Sequence, residues 1–384
     1  MRTAFGVIFL IWGAGLGAAG QYAKVSVVYH LLPDHYPDAG LGLPLLVSIV
    51  GFVGILFGVV AGLLAATLGF RRILLWGLCT GSGLSLVQAL MPPLPLMLGL
   101  RALEGAAHLA IVVAAPTLIS QLSLRRHRGF TLTLWSTFFG VAYTGLVWLG
   151  LPLVAAHGIP ALFAAHGAWM AAFACALWLV LPKDAAPPEP TPLRIGALLK
   201  DHGALYQSAS LSAPAIGWFF YTFCFLAILT LIPPFIDEGH RAAVMGAMPL
   251  VSILVSMSLG VWLLRYCSAV QVVIAGFGLT VLSLIWQVAT PGAVLACGVL
   301  AAAFGLVQGA SFAAVPQLNA TAEDQARANG AMAQMGNVGN TLGTPVLALV
   351  LAGAGFGAMI WTAAVITALG IAVHLWLAHR RMFA

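Results

Sequence analysis

Charge is what this sequence has least of. Of 384 residues, 7% are Asp, Glu, Lys or Arg and 61% are apolar, against roughly 25% charged in an ordinary soluble domain. So few charges could not cover the surface of a water-soluble fold of this length, so lipid must be the solvent for most of it. The five cysteines (Cys79, Cys175, Cys224, Cys267 and Cys297) are odd in number, form no CxxC pair and lie in apolar stretches. They read as small packing residues, which excludes a disulfide framework or a zinc site. No HExxH, GxSxG or suitably spaced pair of aspartates occurs in the apolar segments, which argues against an enzyme embedded in the membrane. No GxxxxGK[ST] occurs either, so work against a gradient must draw on another gradient or on a partner. No cofactor is implied. The net charge of +6 does not mark a nucleic-acid binder, because the bases sit in short clusters between apolar stretches rather than along one face.

What is present is a succession of long apolar segments. A spanning helix needs about 20 mostly apolar residues. Segments of that kind run over 5–32, 41–69, 73–91, 95–121, 130–156 and 160–181, then 210–236, 242–265, 269–289, 293–319, 329–352 and 356–378, numbered here spans 1 to 12. Arg2, the apolar run and Ala18-Ala19-Gly20 loosely resemble a secretory signal. The run continues to about Leu32 and carries Gln21 and Lys24, which points to an uncleaved first span. With the N-terminus in the cytoplasm, the inner loops and termini hold Arg2, Arg71, Arg72, Arg125, Arg126, Arg128, Lys183, Arg194, Lys200, Arg265, Arg327, Arg380 and Arg381, and the outer loops hold only Arg241. That asymmetry sets both termini in the cytoplasm of a cell membrane, expected to be a bacterial inner membrane.

One extended polar break divides the chain. Residues 182–209 include Pro187-Pro188-Glu189-Pro190, and Ile195, Leu198 and Leu199 beside Arg194 and Lys200 suggest a short helix on the cytoplasmic surface. The expected organisation is therefore a bundle over 1–181, a central loop over 182–209 and a second bundle over 210–384. Weak repetition supports two related halves: Leu31-Leu32-Pro33 recurs as Leu231-Ile232-Pro233, Leu103-Glu104-Gly105 as Val307-Gln308-Gly309, and Arg128-Gly129 as Arg327-Ala328-Asn329-Gly330.

Between spans 2 and 3 the chain reads Gly62-Leu63-Leu64-Ala65-Ala66-Thr67-Leu68-Gly69-Phe70-Arg71-Arg72, and span 4 contains Arg101-Ala102-Leu103-Glu104-Gly105. With twelve spans and a central loop, these motifs resemble the major facilitator superfamily over essentially the whole chain. Gly62, Gly69, Arg71 and Arg72 match the family's G-x-x-x-D-R-x-G-R-R gating loop, whereas its acid and first base are here Ala66 and Thr67. The family's cytoplasmic gating salt bridge is therefore in question. Arg101 to Gly105 matches the R-x-x-(Q/E)-G pattern, and Gly140-Val141-Ala142-Tyr143-Thr144-Gly145 lacks the proline of many drug/proton antiporters. The resemblance implies an all-α membrane protein of two pseudo-symmetric six-helix bundles, with a cavity lined by spans 1, 4, 7 and 10 that opens alternately to the two sides.

Three ionised side chains fall well inside predicted spans: Lys24, Arg101 and Glu104. Each would cost about 2.5–3.5 kcal/mol at a helix centre. At 1.5 Å per residue, Lys24 lies about 12 Å below the outer end of its span, Glu104 about 13 Å and Arg101 about 9 Å. Three rare charges thus arrive at one level. Either they form a basic site, with Lys24 and Arg101 attracting an anion and Glu104 exchanging the coupled proton, or they form a structural cluster that holds spans 1 and 4 together. His108, one turn beyond Glu104, could relay protons or simply pack.

Polar residues on plausible faces complete the candidates. Gly13, Gly17, Gln21 and Lys24 share one stripe of span 1, and Gln21 could line a pore or bond between helices. Tyr143, Tyr221, Gln308 (read as the repeat partner of Glu104), Asn337 and Asn340 could contact solute, with interhelical bonding as the alternative. His30, Asp34, His35 and Asp38 in the first outer loop are metal-ligand types, but Pro33 interrupts them, so the loop reads as solvated and no metal is expected. The expected function is proton-coupled uptake of a small organic anion, such as a carboxylate, by a monomer in the lipid bilayer. The alternative is a proton-driven multidrug exporter.

Overall fold

The computed structural model describes residues 3–183 and 203–383; the expected surface helix near 195–199 lies outside them. Among the described residues every long element is helical. The chain divides into two compact units, Met1–Pro190 and Thr191–Ala384.

In the first unit, span 1 is an α-helix over Phe5–Val27 that tightens into a 3-10 turn at Tyr29–Asp34, so the α-helix is shorter than the apolar run. Span 2 is two pieces, Gly42–Ser48 and Val50–Leu68, which meet at Ile49. Span 3 is Phe70–Gln88 and span 4 is Leu94–Leu122. Span 5 runs through Arg125–Ser136, Phe138–Gly145, a π-helical turn Leu146–Gly150 and Leu151–His157, and span 6 is Ile159–Val180. Gly69 alone separates spans 2 and 3, at φ 96°, a left-handed setting that favours glycine.

In the second unit, span 7 is Ala209–Leu231 and span 8 is Glu238–Val255, continued by a π-helical turn Ser256–Gly260 and Val261–Leu263. Span 9 is Ala269–Ala289 and span 10 is Val294–Leu318. Spans 11 and 12 form one run, Ala322–Met382, broken at Gly355 (φ 83°, ψ −179°). Nine stretches among the described residues are long and apolar enough to cross a membrane, and one of them contains spans 11 and 12 together. Span 2, divided at Ile49, and span 3, which opens on Arg71 and Arg72, bring the total to twelve.

Helix packing repeats between the units. Span 1 packs on spans 4, 5 and 6, span 2 on 4, and span 3 on 4 and 6. Span 7 packs on span 10 and on the helix of spans 11 and 12; span 8 packs on 10, and span 9 on 10 and on the span 11–12 helix. Close approaches give the register. A Cβ on Gly105 would stand 2.3 Å from the Val50 carbonyl oxygen, and one on Gly305 would stand 2.2 Å from the Ser252 carbonyl oxygen. Pro116 and Pro316 sit inside the same two helices, again 200 positions apart. Spans 4 and 10 therefore correspond at an offset of 200, not the 204 read from Glu104-Gly105 and Gln308-Gly309. The correction moves the alignment by one helical turn: Glu104 corresponds to Phe304, Arg101 to Ala301, and His108 to Gln308.

The interior of the first unit is apolar toward one end, where Ile8 and Ile11, Leu74 and Leu78, Ile111 and Ile119, and Met170 and Leu177 pack together. Spans 1, 3, 4 and 6 each supply one pair. The glycines of the span 1 stripe receive side chains from span 6: Phe173 lies over Gly13 and Met170 over Gly17.

A methyl group at Gly105 or Gly305 meets a backbone carbonyl that cannot rotate away. Gly105→Ala and Gly305→Ala should each destabilise by about 1–3 kcal/mol, the usual range for overpacking. Gly99→Ala and Gly298→Ala, where nothing lies within 4 Å of the added carbon, should be neutral. Thermal unfolding of the four purified variants in detergent checks the contrast.

Candidate functional site

Span 1 brings Lys24 to the last turn of its α-helix, and span 4 presents Arg101 and Glu104 one turn apart. All three are fully buried. Lys24 Nζ donates to Glu104 Oε1 at 2.7 Å, and Arg101 Nη1 donates to Glu104 Oε2 at 2.5 Å. One carboxylate thus serves two cations, one at each oxygen. Spans 3 and 6 close the cluster: Lys24 also donates to Ser85 Oγ at 2.7 Å and faces His166 Nδ1 at 3.4 Å, while Gln88 Nε2 donates to Glu104 Oε2 at 2.9 Å. The Lys24 ammonium also lies 5.1 Å from the centre of the Phe163 ring.

Hydrogen-bond capacity separates the two cations. His166 Nε2 lies 2.8 Å from the Gly17 carbonyl oxygen, which can only accept. Nε2 therefore carries a ring hydrogen, and in the neutral ring Nδ1 is an acceptor. Lys24 then has three acceptors within reach, although the third, His166 Nδ1, also lies 2.8 Å from Ser85 Oγ. Arg101 donates from Nε to the Leu46 carbonyl at 2.8 Å and from Nη1 to the Gln21 carbonyl at 2.6 Å as well as to Glu104. Its Nη2 is buried and has no hydrogen-bond partner among the described residues. The same holds for both side-chain atoms of Gln21 and for Gln88 Oε1.

The cluster contains only part of the predicted set. Gln21 contributes its backbone carbonyl, while its side-chain nitrogen lies against Gly81 of span 3, inside the bundle. His108 bonds the Ala18 carbonyl at 3.0 Å and packs edge-on against Tyr22, with no hydrogen bond to Glu104 among the described residues. Tyr143 is fully buried with its hydroxyl on Ser26. Of the gating candidates, Arg71 donates to the Leu181 and Trp178 carbonyls and so ties span 3 to the end of span 6. Arg72 is exposed, Gly62 lies within Val50–Leu68, and Gly69 forms the tight link already described.

In the second unit, Tyr221 and Gln308 meet through Ser252. The Tyr221 hydroxyl bonds the Ser252 side chain, which donates to Gln308 Oε1 at 3.4 Å. Asn337 donates to the Ala333 carbonyl of its own helix, and Asn340 is half-buried on the same helix. Around Tyr221 lies an aromatic group: Trp218 and Phe225 stack on it at 4.5 and 5.1 Å, and Phe304 meets it edge-on at 5.7 Å.

Ser85, Gln88 and His166 were not among the sequence candidates. Ser85 and Gln88 are spaced i, i+3 and so share a helical face, which was a usable signal. Nothing in the sequence pairs His166 with Lys24, 142 positions away.

Residues 11–266 match the family profile of the Major Facilitator Superfamily, and the chain belongs to that family. Among solved structures, the inward-open conformation of the xylose transporter XylE from E. coli matches with a TM-score of 0.78 at 14% identity, covering 97% of this chain and 95% of that one. At that identity the likeness establishes the fold. A search of curated proteins found no match. The protein is thus a multi-pass membrane transporter of this superfamily, whose members move small molecules, commonly with protons.

Removing one member of a buried ion pair costs about 3–5 kcal/mol in soluble proteins. Glu104→Gln leaves the two bases sharing a neutral amide, and Lys24→Met leaves the carboxylate Arg101 as its one basic partner. Each should lower the melting temperature, and the double variant should lose less than the sum, with a coupling of about 1–3 kcal/mol. Strict additivity in a double-mutant cycle would show that the pair contributes nothing.

Proposed function

We propose that the protein is a secondary active transporter that takes up a small organic anion, such as a carboxylate, together with protons by alternating access. The observation that carries this reading is the contrast between the two units. At the positions of Lys24, Arg101 and Glu104 the second unit has Cys224, Ala301 and Phe304, and it builds the same helix packing. Cys224 bonds Ala363 and Thr367 of span 12 with its thiol, and Phe304 joins the aromatic group. The fold therefore does not require the charges. Replacing a buried ion cluster by well-packed apolar residues of similar volume is often neutral or stabilising, so its presence in one unit favours a functional reason. Two bases against a single acid, and the unfilled Arg101 Nη2, suit an anion. Both termini are assigned to the cytoplasm by the distribution of bases.

Purified protein challenged with acetate, lactate, benzoate, succinate, phosphate, xylose and ethidium should gain thermal stability from a monocarboxylate. The same compound should accumulate in proteoliposomes when the outside is the more acidic side, and a protonophore should abolish the accumulation. Stabilisation by xylose or ethidium alone would reject the anion assignment. For the topology, a fluorescent-protein fusion at the C-terminus should be bright and an alkaline phosphatase fusion there inactive; the opposite pair of results reverses the orientation.

A further inference from the structure

The charge count of the cluster has a consequence for the proton, given the reading of an anion transporter above. Glu104 is the only acid between Asp38 and Asp184, so no other carboxylate of the first unit can reach the two cations at this depth. With Glu104 ionised and both bases charged, a core without solvent exposure holds one uncompensated positive charge. Such a charge is expensive. Arg101 cannot relieve it, because a guanidinium does not deprotonate in proteins. His166 cannot relieve it either: a neutral imidazole has no proton to give up near neutral pH, and protonating the ring would add a further positive charge. The remaining group is Lys24, an amine able to lose a proton and still donate to Glu104 and Ser85.

We propose that Lys24, not Glu104, carries the coupled proton. Without an anion, Lys24 is a neutral amine and the cluster balances as Arg101 against Glu104. A monocarboxylate seated against Arg101 Nη2 adds a second negative charge, and the Lys24 amine takes one proton from the water on the open side. One N–H bond forms, and it breaks again when the anion leaves, returning the proton to water on the opposite side. Anion and proton are thereby bound one for one, because either alone leaves the core charged. Glu104, clamped at both oxygens, keeps the lysine in place through the cycle.

The groups that face Lys24 are consistent with this division. Span 4 offers Arg101 and Glu104, span 6 offers His166, and span 3 offers the non-titrating Ser85 and Gln88. Tyr22 lies on its own helix against His108, and Tyr143 of span 5 is engaged with Ser26. Span 2 contributes the Leu46 carbonyl, which holds Arg101.

The chain has three lysines, Lys24, Lys183 and Lys200, so protein labelled with 15N at the lysine side chain gives a spectrum simple enough to assign by comparison with Lys24→Arg. Near neutral pH the Lys24 signal of substrate-free protein should be that of an amine. It should become that of an ammonium on adding whichever of acetate, lactate or benzoate stabilises the protein most. In proteoliposomes, the ratio of accumulation with and without a pH gradient should fall to unity for Lys24→Arg, whose cation cannot discharge. An ammonium at Lys24 in the substrate-free protein would overturn the proposal. So would pH-driven accumulation by Lys24→Arg, or a protonated-carboxylic-acid band in the infrared difference spectrum that is lost in Glu104→Gln. Binding of a monocarboxylate with no change at Lys24 removes this assignment alone, whereas the failure of every monocarboxylate to bind removes the anion reading and the coupling with it.

Discussion

A single carboxylate serving two bases in a buried core is the constraint around which the first unit is organised. Glu104 has two oxygens and each is given to a different base, Lys24 from span 1 and Arg101 from its own helix. The remaining capacity draws in spans 2, 3 and 6 through the Leu46 carbonyl, Ser85, Gln88 and His166. Five of the six spans of the unit therefore meet at one ion cluster, and their rotations about their own axes are set by where these polar groups must point.

The second unit shows what the same architecture does without charge. Glycines make the close crossings in both halves, Gly105 on span 2 and Gly305 on span 8. Where the first unit has a lysine, an arginine and a glutamate, the second has a cysteine thiol, an alanine and the ring of Phe304. Apolar packing and ion pairing are thus alternative ways to fill one place in one fold. The ionic solution has the greater cost when incomplete, since a charge left unbalanced in a low-dielectric core has no solvent to fall back on. That cost gives the charges their use: an anion and a proton that arrive together leave the balance intact, and either alone does not.

The polar candidates divide by whether the fold has already spent their bonding capacity. Lys24 is taken by Glu104 and Ser85, Tyr143 by Ser26, His108 by the Ala18 carbonyl, and Asn337 by its own helix. Arg101 retains one nitrogen without an acceptor among the described residues, and Gln21 its side-chain amide. In a membrane protein a polar side chain within a span is usually interhelical bonding first and a binding group only if donors or acceptors are left over.

Much of this protein was legible in its residues before any coordinates. Apolar runs of spanning length, separated by short basic loops, specify a polytopic helical bundle because no other backbone arrangement satisfies its hydrogen bonds in lipid. The rarity of charge in the spans singled out Lys24, Arg101 and Glu104, and the common depth of Lys24 and Glu104 anticipated their contact. The repeat register of spans 4 and 10 differs by one turn between sequence and structure, because Glu104-Gly105 and Gln308-Gly309 look alike while the pairs that bear on packing are Gly105 with Gly305 and Pro116 with Pro316. Only the tertiary structure decided that Gln21 turns toward span 3 and that His166 and Ser85 complete the coordination of Lys24. Helical periodicity places a residue on a face, but which neighbour that face meets depends on how separate helices rotate against one another, and that is set by contacts between residues far apart in the chain.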